Sequence, residues 1–307
     1  MSKQKNKPPR FHHYVPKTYL KHWLDDNNLI YIYNKKTGEI KASSIKGQYF
    51  GKNHLNTITY PDDTKGYWVE EAFAEAESKI TPALDKVASS LLSNSKRITF
   101  EDKLALSLFV SIQFWRLPTN VDFVKSCIAN GDFSSLGLSV VNQETGEKLQ
   151  PYETVDYYRC ICTTDLFQKA YPVLRALLDM KKHGTYANLQ YWSLYFQEPG
   201  YNLSSDNPII YTKTPTVDSI FKNFILSLSP SVVMIAANRQ PNILSSSTSI
   251  NLNILQICHA NQFVVGRDRA YLRSVADEYE KSFKTIPLKD IEDYVFKEIF
   301  ETMNRNK

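Results

Sequence analysis

A chain of 307 residues that is 42% hydrophobic and 13% aromatic holds enough apolar side chain for a sizeable core, which excludes a disordered protein. Its longest apolar runs, "LALSLFV" and "VVMIAA", are too short to span a bilayer, and the basic start leads into no apolar leader, so the expectation is a soluble, cytoplasmic protein with no membrane partner. The formal net charge of +5 owes four of its charges to Lys3, Lys5, Lys7 and Arg10, leaving a body near +1, too weak for the basic face of a dedicated DNA-binding domain.

Residues 1–9, "MSKQKNKPP", have the composition of a disordered basic tail. After the segment "RFHHYVPKTYLKHW", Tyr/Ile alternation around Lys-Lys-Thr-Gly in "LIYIYNKKTGEIKASSI" reads as a β-hairpin. From Tyr67 the period changes. Val69, Phe73, Ala76, Ile80, Leu84, Val87 and Leu91 mark one face of a long helix that Pro82 is expected to kink. "TFEDKLALSLFVSIQFWRLPTNVDFVKSCI" opens on a Thr-x-x-Asp helix entry and continues as one apolar, buried helix over 99–128. Residues 131–153 are polar and turn-rich, the mark of a mobile loop or small hairpin, and a third helical stretch runs from about Val155 to Lys182.

Beyond Gly184 the grammar is that of strands, in "YWSLYFQ", "NPIIYT", "NFILSLS" and "SVVMIAAN". "INLNILQICHANQFVVG" suits either state, and "RDRAYLRSVADEYEKSF" and "LKDIEDYVFKEIFETMN" read as helices. The expected fold class is α+β: a central helical bundle flanked by the N-terminal β-hairpin and a C-terminal β-rich segment with terminal helices. Residues 10–307 form one domain in three parts, 10–60, 61–183 and 184–307. Cys127, Cys160, Cys162 and Cys258 lack metal or redox spacing and read as reduced thiols.

Three places carry candidate chemistry. His12 and His13 lie in a segment that Pro16 keeps extended, so their rings point to opposite faces, one toward a cleft and one into packing; Lys17, Lys21 and His22 make the neighbourhood positive. In "QFWRLP", Gln113 and Arg116 sit one turn apart on an apolar helix, and the guanidinium needs an anion, either Glu77 or a substrate phosphate. In "SSDNPII", Asp206 either accepts backbone N–H bonds in a turn or presents a carboxylate at a strand end. Asn253, His259 and Asn261 form a weaker polar set, with His259 read as a satisfied core residue.

The order "HHYVPKTYL", "FAEAESKITPAL", "FVSIQFWRLP", "SSDNPII", "ILSLSP" and "NILQICHANQFVVG" resembles the largely bacterial family DUF4238. That resemblance marks His12, His13, Tyr14, Pro16, Tyr19 and Leu20, then Glu77, Gln113, Arg116 and Pro118, then Ser205, Asp206 and Pro208. It departs at Lys17-Thr18, where relatives often carry Gln and an aromatic residue. "HHYVP" also looks like the opening of HNH nucleases, with Asn53-His54 the nearest match to the rest of that motif. The expected function is a metal-dependent nuclease or phosphoesterase, an effector of bacterial anti-phage defence. His12 or His13 is the base, His13, Asp206 and Glu77 hold Mg²⁺ or Mn²⁺, Arg116 steadies the phosphate, and Lys3, Lys5, Lys7, Arg10 and Lys17 attract nucleic acid. The alternative is a non-enzymatic sensor that binds a small anionic ligand or a protein partner.

Overall fold

The computed structural model describes residues 11–89, 98–130, 132–139, 141–142, 144–148, 164–196, 200–213, 215–237 and 246–301. The expected basic tail, Leu91, Cys160, Cys162 and residues 155–163 of the third expected helix lie outside the described residues. The fold is α+β, with helices set against antiparallel sheets.

The chain enters on β1 (Phe11–His13), which pairs with β4 (Gly51–Asn53) so that His13 lies opposite Gly51. A Cβ at Gly51 would come within 2.5 Å of the His12 carbonyl oxygen, so the close approach of these strands requires glycine there. The expected hairpin forms as β2 (Ile30–Asn34) and β3 (Ile40–Ser43), with Gly38 at φ +71° closing the turn. A short pair, β5 (Ile58–Thr59) and β6 (Lys65–Gly66), leads into the helices.

In the C-terminal part, β7 (Trp192–Phe196), β9 (Ile209–Tyr211), β10 (Phe224–Ser229) and β11 (Val232–Ala236) form a sheet ordered β7-β11-β10-β9. Every residue of β10 and β11 is buried, which is why β11 reads as a continuous apolar run, while β10 buries Ser227 and Ser229 as well. The other large sheet is ordered β3-β2-β12-β8: the hairpin is completed by β12 (Phe263–Gly266) and β8 (Ser204–Ser205). The two flanking β regions are therefore joined in one sheet.

Between them run α2 (Trp68–Ala88), α3 (Phe100–Arg116) and α4 (Pro118–Asn130), after a short α1 (Lys17–Leu20). Helix α2 continues through Pro82, and the Thr81 hydroxyl donates to the Glu77 carbonyl at 2.7 Å within that turn. Helix α3 opens on the expected capping box, with the Thr99 and Asp102 side chains satisfying each other's backbone N–H. The single helix expected over 99–128 is instead two. Leu117 is extended at φ −64° and ψ 136° because Pro118 crowds the helical conformation before it, and Pro118 becomes the first residue of α4. Within the polar stretch that follows, Ser134–Leu136 make a 3-10 turn and Val141 bridges Lys148.

Then come α5 (Asp165–His183) and α6 (Tyr186–Leu189). The ambiguous "INLNILQICHANQFVVG" divides into α7 (Ser246–His259) and β12, and Lys35 Nζ caps that helix by donating to the Cys258 and Ala260 carbonyls at 3.1 and 2.7 Å. Helices α8 (Arg269–Glu278), extended by a π turn at Tyr279–Phe283, and α9 (Leu288–Glu301) close the chain. The largest apolar cluster draws Tyr19 and Trp23 from the N-terminal part, Phe109 and Trp115 from α3, and Phe224 and Val265 from the C-terminal sheets. Among the described residues, no helix is long and apolar enough to cross a membrane.

Candidate functional site

The "HHYVPKTYLKHW" segment is anchored along its length. The Tyr19 hydroxyl donates to the Ser227 carbonyl at 2.6 Å and lies 2.7 Å from the Ser204 hydroxyl, and Trp23 Nε1 donates to the Asn202 carbonyl at 2.9 Å. The Tyr14 backbone N–H donates to the Phe50 carbonyl, and its own carbonyl accepts from Gln113 Nε2 at 3.1 Å. The two histidines between these anchors face different surroundings, as alternation along a strand requires.

His12 is fully buried, and its Nδ1 accepts the Asn56 backbone N–H at 2.8 Å. Asn56 Nδ2 in turn donates to Glu70 at 2.6 Å, from the first turn of α2. His12 thus holds the loop after β4.

His13 is also buried, at 8% exposure, with the exposed Lys17 just after it on the surface. Burial, with Lys17 and Arg116 nearby, lowers its pKa from 6.5 to about 4, against the opposing pull of a Gly47 backbone hydrogen bond and Glu70. The ring is therefore neutral at pH 7. Its Nε2 has no hydrogen-bond partner, which leaves Nδ1 for the Gly47 carbonyl and puts the free lone pair on Nε2.

Arg116, 3% exposed, forms an ion pair with Glu77 of α2 through its Nη1, and its guanidinium lies 4.5 Å over the Phe73 ring. The internal carboxylate is the anion that this guanidinium finds. Its Nε stays unpartnered, as does Oε1 of fully buried Gln113 one turn earlier. Three of these atoms are linked through the fold, two acceptors, His13 Nε2 and Gln113 Oε1, and one donor, Arg116 Nε: Gln113 bonds to Tyr14 beside His13, and the Arg116 charge acts on His13. Buried Asn202 also has an unpartnered amide, but on a different segment.

Asp206 is committed to the backbone. Its carboxylate accepts the backbone N–H groups of Asn261 and Gln262 at 2.8 Å and of Phe263 at 3.1 Å, so it fastens the turn between α7 and β12. Burial raises its pKa despite these bonds and Lys35. With Glu77 committed to Arg116 and Asp206 to three amides, His13, Glu77 and Asp206 do not make the expected Mg²⁺ or Mn²⁺ site. Among the described residues, no three His, Cys, Asp or Glu side chains are grouped to hold a metal ion. These three residues, as placed, do not fit such an ion.

Of the expected nucleic-acid contacts, Lys17 is exposed beside His13, while Lys3, Lys5, Lys7 and Arg10 lie outside the described residues. Asn53-His54, the nearest match to an HNH continuation, ends β4, and His54 turns at φ 55° with its ring 3.5 Å from the Thr57 hydroxyl. Sequence reasoning missed Glu70 and Gly47, which carry no motif and reach the histidines only through the β1–β4 pairing and the first turn of α2.

The family model described as a protein of unknown function (DUF4238) matches residues 12–270, and the chain belongs to that family. No curated protein and no solved structure matches it.

Proposed function

We propose that this family member is a phosphoester hydrolase of the nuclease type, with His13 as general base and Lys17 and Arg116 as the phosphate's electrostatic partners. The observation that carries the reading is the set of three unmet hydrogen bonds. One water molecule with two hydrogens would satisfy His13 Nε2 and Gln113 Oε1 together, and one phosphate oxygen would accept from Arg116 Nε. A water held this way is oriented by Gln113 and deprotonated by His13. Its oxygen bonds to phosphorus as the ester P–O bond breaks, and the proton passes through His13 to the leaving oxygen. A pKa of about 4 makes the free imidazole a weak base, but an arriving phosphate anion raises it and partly offsets Lys17 and Arg116. Reduced Cys127 and Cys258 suit a cytoplasmic setting.

The test is incubation of the purified protein with single- and double-stranded DNA and RNA, with Mg²⁺, Mn²⁺ or chelator, alongside the His13→Ala and Lys17→Ala variants. Cleavage that falls about 10²- to 10⁴-fold in a His13→Ala protein of unchanged melting temperature supports a base. Undiminished cleavage in that variant removes His13 from the mechanism. A second reading, recognition of a small anion without turnover, is favoured by burial, since exposures of 8% and 3% at His13 and Arg116 admit a small ligand more readily than a polymer. Phosphate binding lost in Lys17→Ala, without cleavage of any substrate, would select it.

A further inference from the structure

Three stretches singled out in the sequence converge on a cleft that the site around His13 does not use. Leu117 comes from "QFWRLP", Asn207 from "SSDNPII" and His259 from "ICHANQF", and all three line it. The cleft has a volume of about 490 Å³, within the range of small-molecule sites. It lies on the face of α3 that carries Phe114, next to the face that carries Gln113 and Arg116.

Its chemistry is mixed in a defined way. Phe114 and Tyr211, whose ring centroids are 5.8 Å apart and set edge to face, offer flat apolar surfaces, and the Tyr211 hydroxyl is tied to the Ile220 carbonyl at 2.9 Å, which fixes that ring. The amides of Asn120 and Asn207 are oriented by their own donations, to the Phe114 carbonyl at 2.6 Å and the His259 carbonyl at 3.1 Å. Each of those bonds uses one N–H, so each amide keeps a second N–H as donor and its oxygen as acceptor.

Glu292 of α9 lies 3.0 Å from His259 Nε2, without the alignment of a hydrogen bond, and adds a further acceptor at the wall. The positive charge comes from Lys213 and Lys289. Lys289 is shared with Asp293 at 2.9 Å, whereas Lys213 is exposed and has no ion pair among the described residues.

The geometry points to a nucleoside monophosphate as the ligand of this cleft. A flat heteroaromatic ring suits the Phe114 and Tyr211 surfaces. The polar edge of the base suits a wall that offers both donors and acceptors, from Asn120, Asn207 and Glu292, and Lys213 takes the phosphate. The inference does not depend on His13 acting as a base, because the cleft shares no lining residue with that neighbourhood.

The experiment is titration calorimetry of the full chain with AMP, UMP, adenosine and inorganic phosphate, repeated with Lys213→Ala and Glu292→Gln after their melting curves are checked. The expected result is saturable binding of AMP and UMP, tighter than that of adenosine or phosphate and weakened about tenfold by Lys213→Ala, the loss of one charge-assisted contact. Lys213 is exposed, so that variant keeps its fold even if Glu292→Gln does not. No nucleotide binding at millimolar concentration, phosphate or adenosine binding as tight as AMP, or AMP affinity unchanged in Lys213→Ala would each overturn the assignment.

Discussion

The surroundings of Asp206 and of His13 are comparably shielded from water, yet they treat a buried polar group in opposite ways. Asp206 is met by three backbone N–H groups from a turn more than fifty residues away in the chain. His13, with Gln113 and Arg116, keeps hydrogen-bonding atoms that nothing in the fold meets. Burial disfavours the charged form in both, raising the carboxyl pKa and lowering the imidazole pKa. A buried group that the fold has satisfied is part of the scaffold, whereas one left unmet calls for an explanation beyond it, such as a bound water.

Substitutions should separate the two regions by stability. Asp206→Ala strands three amides, so urea denaturation should show the largest loss, about 3 kcal/mol or more. Next, Glu77→Ala leaves the Arg116 charge buried and alone, with an expected loss of about 3 kcal/mol in the same measurement. His12→Ala unpairs the Asn56 N–H and should cost about 1–2 kcal/mol. His13→Gln keeps an amide that can reach the Gly47 carbonyl and gives up only the packing of the ring. Its stability should fall by about 1 kcal/mol or less, and a loss larger than that of His12→Ala would erase the distinction between the two histidines.

Acid provides a finer probe. The pKa values of His13, His22 and His259 are each depressed to about 4, chiefly by burial. The unfolded chain therefore binds more protons than the folded one between pH 6.5 and 4. The stability these rings contribute is complete above pH 6.5 and is lost as pH falls toward 4, at up to about 1.4 kcal/mol per pH unit for each. Asp179, Asp206 and Glu292, whose pKa values are raised, act in the opposite sense. Melting temperatures at pH 7, 6 and 5 should decline, and His13→Gln should flatten part of that decline. An unchanged slope would mean that His13 is not held neutral.

What was legible in the sequence was what is local. The hairpin at 30–43 and the stripe of α2 repeat at the period of their own elements, and Thr99 and Asp102 announce a helix start within one turn. The pairing of Arg116 with Glu77 could be anticipated because each is a charge beside an apolar stripe. The break at Leu117 could not, since a proline at that spacing is as compatible with a kink as with the first residue of a new helix. The partners of Asp206, the Gly47 carbonyl beside His13 and the approach of Glu292 to His259 all depend on tertiary pairing, and no short window of sequence encodes them.

The sheet order β3-β2-β12-β8 also bears on how the chain matures during synthesis. The hairpin leaves the ribosome early, but the strand that completes it, centred on Val264 and Val265, emerges more than two hundred residues later. The carbonyls of Asn202 and Ser227 that hold Trp23 and Tyr19 are also late arrivals. A nascent chain therefore carries Tyr19 and Trp23 long before it can seat them, and such long-range closure makes folding slow. The groups around His13, from Gly47 to Arg116, are made first, and the anchors that hold its segment to the C-terminal sheets arrive only afterwards.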